Sequence, residues 1–326
     1  MRRIILSIAS LVLLAGLPLT GAHAQELAAN PSCSADGILN AQKLTENATC
    51  NAEAKFIDVG IGLIAKPKPG EYIALTVDKF DGESPTVTVA TDQNGQTHLA
   101  NIQPVLTGAP AEKLVATSTP MVNTNCGSPN YYNENGWIVQ QPYKWYYNST
   151  GEPAANSLIR IGEGFQTWQS GANRCNSTIV PNSVATSYQG TTTDIPSVFV
   201  IPSTSSGSLF DIACSSLTSN KRVIGWGNLL DLAAGVTCNY GFNATTTGVS
   251  SIMFNTALSW YTTFDQSYCN GQADLKGIAT HEEGHALGLD HYNHVGQVMK
   301  PSGGPCDMNM RGLGYGDVHG IAKLLP

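Results

Sequence analysis

The sequence is poor in charged residues and has no cluster of basic ones. Asp, Glu, Lys and Arg make up 13% of the 326 residues, and 17 Lys and Arg are outnumbered by 24 Asp and Glu. A protein whose main partner is nucleic acid needs clustered Lys or Arg to neutralise phosphates. Hydrophobic residues reach 42%, which is more than disordered acidic chains contain. We therefore expect a folded globular protein with no nucleic-acid partner.

Long apolar runs are absent except at the N-terminus. Two arginines at positions 2 and 3 precede a mostly apolar stretch, and Ala-His-Ala at 22–24 is typical of a signal-peptidase site. The stretch is interrupted by serines, Gly16 and Pro18, whereas a membrane-spanning helix needs about 20 apolar residues. We interpret residues 1–24 as a signal peptide and expect a secreted, extracellular rather than periplasmic protein with no membrane anchor.

The C-x-x-C motif of zinc knuckles and thioredoxin-like redox sites is absent, although the chain has eight cysteines. An even number of cysteines in an exported protein indicates disulfides. Cys33 and Cys50 are close in sequence, and we predict that they pair. The sequence alone allows several pairings of the other six. The simplest scheme is Cys126–Cys175, Cys214–Cys238 and Cys269–Cys306, with the second of these in a loop region.

Residues 25–120 are predicted to form a β-rich N-terminal region or propeptide. Four strand-like runs lie there: Phe56–Ala65, Glu71–Phe80, Pro85–Thr91 and Gln96–Gln103. Asn94-Gly95 is a preferred hairpin turn between the last two runs. Residues 109–125 contain two prolines and few large apolar side chains, as a linker or processing site would.

Residues 121–326 are predicted to form a second domain. After Pro153, apolar residues recur at the spacing of a helix with one buried face: Leu158, Ile161, Phe165 and Trp168. Apolar runs between Ser- and Thr-rich stretches predict strands: Lys144–Tyr147, Ser197–Ile201, Arg222–Trp226 and Val249–Asn255.

Histidines are absent between His98 and His281, and three of the seven then lie between residues 281 and 291. Leu275–Gly288 has the pattern of a helix, on which His281 and His285 occupy one face, one turn apart. Both imidazoles can therefore reach one metal ion.

Gly288 can end this helix in the left-handed conformation and return His291 towards the same ion. Three histidines with an open fourth position are typical of a catalytic zinc site. Glu282 follows the first histidine and can reach a water on the metal. The pattern predicts metal-assisted hydrolysis.

The segment HEEGHALGLDH, from His281 to His291, resembles the zinc-binding motif of metzincin metallopeptidases and of matrixins in particular. Met299 stands at the spacing of the matrixin Met-turn, and residues 313–321 are similar to the start of the last matrixin helix. The resemblance covers roughly residues 125–326. It implies an α+β fold with a twisted mixed sheet, an active-site helix, the Met-turn and a C-terminal helix.

The resemblance also implies a function, that of a zinc endopeptidase, here from a bacterial source. One Zn²⁺ would be bound by His281, His285 and His291. Glu282 would act as general base on a zinc-activated water, and Met299 would form an apolar floor below the metal. We expect protein or peptide substrates and a monomer.

Several residues near the motif are interpreted as having no role in catalysis. Glu283, where matrixins usually have an apolar residue, is predicted to be solvated on the helix, and Asp290 and His294 are predicted to lie on the surface. An edge strand at Val223–Leu229 is expected to hold the substrate backbone by strand addition. Calcium is common in the family, but no ligand loop is recognisable around the available carboxylates, which are Asp194, Asp211 and Asp231.

Two alternatives stay open. Cys126-Gly-Ser-Pro resembles part of the matrixin cysteine switch, in which a thiolate caps the zinc, although the disulfide scheme is favoured because free thiols are liabilities outside the cell. The second alternative is a secreted binding or adhesion protein that carries an inactive metzincin-like domain. A complete set of Glu282 and three histidines favours the enzyme.

Overall fold

The computed structural model describes residues 37–44, 51, 54–78, 86–102, 126–135, 138–175, 184–202, 210–217, 219–230, 233–243 and 246–325. The predicted signal peptide and the predicted Cys33–Cys50 bridge lie outside these residues. The strands β1 to β18 are, in chain order, Ile38–Asn40, Phe56–Asp58, Leu63–Ala65, Tyr72–Asp78, Thr86–Thr91, Thr97–Ile102, Asn133–Glu134, Ile138–Val139, Tyr143–Tyr147, Thr186–Thr191, Val198–Pro202, Phe210–Cys214, Arg222–Gly227, Gly235–Asn243, Thr246–Asn255, Trp260–Tyr261, Ala273–Asp274 and Leu289–Asp290. The α-helices are α1 (Ser157–Ser170), α2 (Leu275–Ala286) and α3 (Tyr315–Leu324), and short 3₁₀ helices cover Ala41–Lys43, Gln266–Tyr268 and Met308–Arg311.

One nine-stranded sheet runs through the described part of both predicted regions. Its order is β10-β9-β13-β15-β14-β4-β5-β6, and β8 pairs with the end of β15. The pairs β10–β9, β9–β13 and β13–β15 are parallel. The pairs β15–β14, β14–β4, β4–β5 and β5–β6 are antiparallel. A second, five-stranded sheet has the order β1-β2-β3-β12-β11. The mixed sheets and helices agree with a matrixin-type α+β domain.

The two faces of the large sheet bury different cores. Side chains alternate along a strand, so Ile73, Leu75 and Val77 of β4 pack towards the five-stranded sheet. Tyr72 and Ala74, on the opposite face, pack into the core formed with the helices. Asp78 is four residues from Ala74 and six from Tyr72, so its side chain lies on the same face of the sheet as theirs, which is the face that the helices cover. The hairpin of β5 and β6 forms as expected, with Gly95 at φ 82°.

Helix α1 presents the predicted stripe to the core. Ile161, Phe165 and Trp168 are buried, and the Trp168 Nε1–H donates to the carbonyl oxygen of Thr280 in α2 at 2.7 Å. The helix begins at Ser157 rather than near Pro153, and Gly171 ends it at φ 64°. In the described part of the chain, no helix has the length and apolar character needed to cross a membrane.

Three disulfides join cysteines of the described residues: Cys126–Cys175, Cys214–Cys238 and Cys269–Cys306. The second does not lie in a loop region, because Cys214 belongs to β12 and Cys238 to β14. It therefore joins the two sheets. Since Cys126 is bonded to Cys175, its sulfur is not a thiolate that could cap a metal.

The prediction that Glu283 is solvated is wrong. Glu283 is fully buried between α2 and α1, and a Cβ on Gly164 of α1 would lie 2.5 Å from its Oε2. Neither carboxyl oxygen has a hydrogen-bond partner among the described residues. Burial raises the pKa of Glu283 well above its usual range.

We expect Glu283→Met to raise the free energy of unfolding by about 1–3 kcal/mol at neutral pH. The substitution removes a buried polar group without a partner and keeps a similar length. Glu283→Gln, which cannot ionise but retains two buried polar atoms, should fall between the parent and the Met variant. Urea unfolding of the three proteins measures the order. A Met variant less stable than the parent would contradict this reading of the site.

Candidate active site

Helix α2 carries the histidine motif and is fixed at both ends. The carboxylate of Asp274 caps its first turn by accepting the N–H of Gly277 at 3.0 Å, and Asp274 also pairs with Arg311. At the other end Gly288 adopts φ 106°, a backbone conformation that residues other than glycine rarely adopt. The chain therefore reverses after α2, as the sequence predicts.

The three motif histidines converge on one point. The Nε2 atoms of His281 and His285 are 3.0 Å apart, those of His285 and His291 are 3.0 Å apart, and those of His281 and His291 are 3.2 Å apart. All three side chains are buried. The i, i+4 spacing brings the first two together, and the turn at Gly288 adds the third.

Two backbone carbonyls set the orientation of the imidazoles. Nδ1 of His281 is 2.7 Å from the oxygen of Val298, and Nδ1 of His285 is 2.9 Å from the oxygen of Leu289. Each Nδ1 therefore carries the proton, and each Nε2 turns a lone pair towards the centre. Lone pairs at this separation repel each other unless a cation lies between them.

This arrangement fits a zinc ion. Tetrahedral Zn–N bonds of about 2.0–2.1 Å place neighbouring ligand atoms about 3.3–3.4 Å apart, close to the observed separations. Metal-binding histidines usually donate their other N–H to a carbonyl or carboxylate, as His281 and His285 do here. Among the described residues, only one group of three or more potential ligands was found, and it contains these histidines.

The segment around His291 is held by a short pairing of β18 with β7. Asn133 Nδ2 donates to the carbonyl oxygen of His291 at 2.7 Å, and the Asp290 carboxylate accepts the His291 N–H at 2.7 Å. The prediction that Asp290 lies on the surface is wrong, since it is 4% exposed. His294 is half-buried beside Tyr131 and lies outside the histidine group.

A fourth side chain, which the sequence analysis missed, completes the group. Asp78, the last residue of β4, places Oδ1 2.8 Å from His291 Nε2 and 3.1 Å from His281 Nε2. Its Oδ2 lies 3.5 Å from His285 Nε2 and makes no hydrogen bond within the described structure. Burial alone would raise the pKa of Asp78, but the three histidines hold it well below its usual range.

Glu282 lies beside this group, on the side of β14. Its Oε2 accepts a hydrogen bond from Thr237 Oγ1 at 2.5 Å, and its Oε1 has no partner among the described residues. Gly235 makes room for it, since a Cβ there would lie 2.1 Å from Oε1. Burial and the negative charge of Asp78 raise the pKa of Glu282 well above its usual range. Thr237 and Gly235 were not foreseen.

Met299 packs directly against α2. A Cβ on Gly284 would lie 2.3 Å from the Met299 sulfur, so the glycine in the motif allows this contact. Asp317, in the first turn of α3, accepts the N–H groups of Val298 at 2.6 Å and Met299 at 3.2 Å. Because Val298 also accepts from His281, Asp317 connects α3 to the orientation of a motif histidine.

The expected substrate edge at Val223–Leu229 is wrong. Its strand, β13, lies inside the sheet and pairs with β9 and β15. The strand next to α2 is instead β14, in which Asn239 Nδ2 donates to the carbonyl oxygen of His285 at 3.2 Å. The other edge of β14 is covered by β4.

Comparison with known proteins shows which family the C-terminal part of the chain is similar to. Residues 229–325 match the family model of the matrixins. Macrophage metalloelastase of Oryctolagus cuniculus is 47% identical over 47 residues, which are 14% of this chain and 10% of that protein. The chain therefore matches about a tenth of the length of that curated relative. The C-terminal part of the chain, with the three histidines and Glu282, is matrixin-like.

Proposed function

We propose that the chain is a secreted zinc endopeptidase that hydrolyses peptide bonds in protein or peptide substrates. The observation that carries this proposal is the convergence of three imidazole Nε2 atoms next to a buried glutamate, within a matrixin-like segment. The name of the relative, an elastase, supports polypeptide substrates.

His281, His285 and His291 would hold one zinc ion, and the carbonyls of Val298 and Leu289 orient the first two. Zinc in such a site lowers the pKa of a water and polarises a substrate carbonyl. Glu282 is proposed as the general base, which accepts the proton of the water and passes it to the leaving amine. Thr237 holds one oxygen of Glu282, which leaves the other oxygen for this transfer.

Met299 is proposed to have a structural role. Its side chain fills the space against Gly284 between the two helical histidines, and the two hydrogen bonds to Asp317 fix its backbone. An apolar contact there keeps polar groups from competing for the metal.

Secretion is proposed from the N-terminal sequence and is supported by the three disulfides, which persist in oxidising compartments. A monomer is proposed with it. The binding or adhesion alternative is not favoured, because no member of the ligand and base set is missing from the site.

Casein or gelatin hydrolysis by the active form of the secreted protein tests this function. We expect cleavage that 1,10-phenanthroline abolishes and added zinc restores, because the histidines hold the ion that the reaction needs. Cleavage that persists after the zinc content has fallen to zero would contradict the proposal, as would a zinc-loaded, N-terminally processed protein that cleaves nothing.

Glu282→Gln should retain zinc and lose about 10²–10⁴-fold in kcat, because general acid–base catalysis contributes about that factor. The variant keeps the size of the side chain and an oxygen for Thr237, but it cannot accept a proton. Zinc analysis beside a fluorogenic peptide assay separates the two properties. Near-normal turnover with full zinc would exclude Glu282 as the base.

His281→Ala, His285→Ala and His291→Ala should each lower zinc affinity by at least about 100-fold, since even a residue that only orients a ligand contributes 10- to 100-fold. His294→Ala is the matched control: it lies three residues beyond His291 but outside the group, and it should keep its zinc. Competition with a fluorescent chelator measures the affinities. Unchanged affinity in any of the three would remove that residue from the ligand set.

A further inference from the structure

Asp78 stands where a fourth ligand to the metal would stand. It comes from the N-terminal region, and its carboxylate is buried among the three Nε2 atoms at 2.8, 3.1 and 3.5 Å. Its Oδ2 makes no hydrogen bond in the described structure, which is costly for a buried carboxylate. Oxygen and imidazole nitrogen are both ligands that zinc accepts.

The strand that carries Asp78 is built into the sheet. β4 pairs antiparallel with β14 from Gly235↔Asp78 to Gly241↔Tyr72. The Ala234 N–H donates to the Asp78 carbonyl oxygen at 2.6 Å, and Leu75 and Val77 are buried in the core between the sheets. Asp78 is therefore presented to the histidines by a fixed backbone and not by a loose chain end.

A closed set of four protein ligands is unsuited to catalysis. Structural zinc sites close all four positions, whereas catalytic sites keep one for water or substrate. An extended substrate also needs a free strand edge if it binds by strand addition. In this structure β4 covers the outer edge of β14, and Asp78 fills the place beside Glu282.

We propose that Asp78 is an inhibitory fourth ligand, which the N-terminal region holds on the metal to keep the peptidase latent. The inference rests on the proposed function. The inhibitory ligand is then a carboxylate and not the thiolate of Cys126, because Cys126 forms a disulfide with Cys175. Activity then requires that β4 leave β14, which removes the ligand and uncovers the strand edge together.

The test uses the full chain with cobalt in place of zinc, since the visible spectrum of Co²⁺ reports its ligands. The probe is acetohydroxamic acid, which needs an open position on the metal. In the parent protein the probe should bind at least about tenfold more weakly than in Asp78→Ala, because a tethered carboxylate competes at high effective concentration. Peptide cleavage also requires that β4 leave β14, so it is measured after limited proteolysis has removed the N-terminal region.

Two further variants make the result specific. Gly241→Ala touches neither the metal nor Asp78, but its Cβ would lie 1.8 Å from the Tyr72 ring and should loosen β4. We expect its probe affinity to lie between those of the parent and Asp78→Ala. Glu71→Gln is the control for charge. Its carboxylate lies outside the histidine group and accepts the N–H of Lys68 at 3.3 Å, so the variant should behave as the parent.

Each outcome decides between the two proposals. Equal probe affinity in the parent and Asp78→Ala overturns the inference, and so does a Gly241→Ala protein that behaves as the parent if Asp78→Ala fails to fold. If the probe binds more tightly in Asp78→Ala, but the zinc-loaded, N-terminally processed protein cleaves no peptide, the result supports the ligand and overturns the proposed function. A chain that binds neither zinc nor cobalt overturns both.

Discussion

The mutual approach of three imidazole nitrogens is the constraint on which the rest of the site depends. Nε2 atoms 3.0–3.2 Å apart are unfavourable neighbours unless a cation lies between them, yet two of them are held by backbone carbonyls that fix their tautomer. Those carbonyls belong to Val298 and Leu289. The loops after α2 are therefore shaped to orient ligands, and α3 supports one of them through Asp317.

The N-terminal region contributes a strand and a side chain to the same site. β4 extends the large sheet beyond β14, and its alternation buries Leu75 on one face and aims Asp78 at the histidines on the other. One strand thus both stabilises the core between the sheets and closes the candidate metal site. This arrangement is the one that the proposed latency requires, because the chain is folded and disulfide-bonded while Asp78 lies among the histidines.

Local sequence patterns predicted the local parts of this site. The i, i+4 histidines, Gly288 and the stripe of α1 depend on residues close in sequence, and the structure places them as expected. Asp78 could not be found in this way, because it lies 203 residues from His281 and only strand pairing brings them together. The alternation of side chains along β4 shows which residues share a face of the sheet. It does not show which strand pairs with β4.

The errors have related causes. Glu283 was predicted to be solvated because it is acidic, but α2 is enclosed by α1 on one side and β14 on the other, which leaves little solvent-facing surface. Strand β14 was missed because its sequence, GVTCNYGFN, is rich in Gly, Asn and Thr, which are more typical of loops. The substrate edge was consequently assigned to β13.

Anomalous diffraction at the zinc edge from crystals of the full chain tests the central claim most directly. The account predicts one zinc peak between His281, His285 and His291 with the Asp78 carboxylate as the fourth ligand; no peak at that point, or a zinc ion with water in place of Asp78, would contradict it.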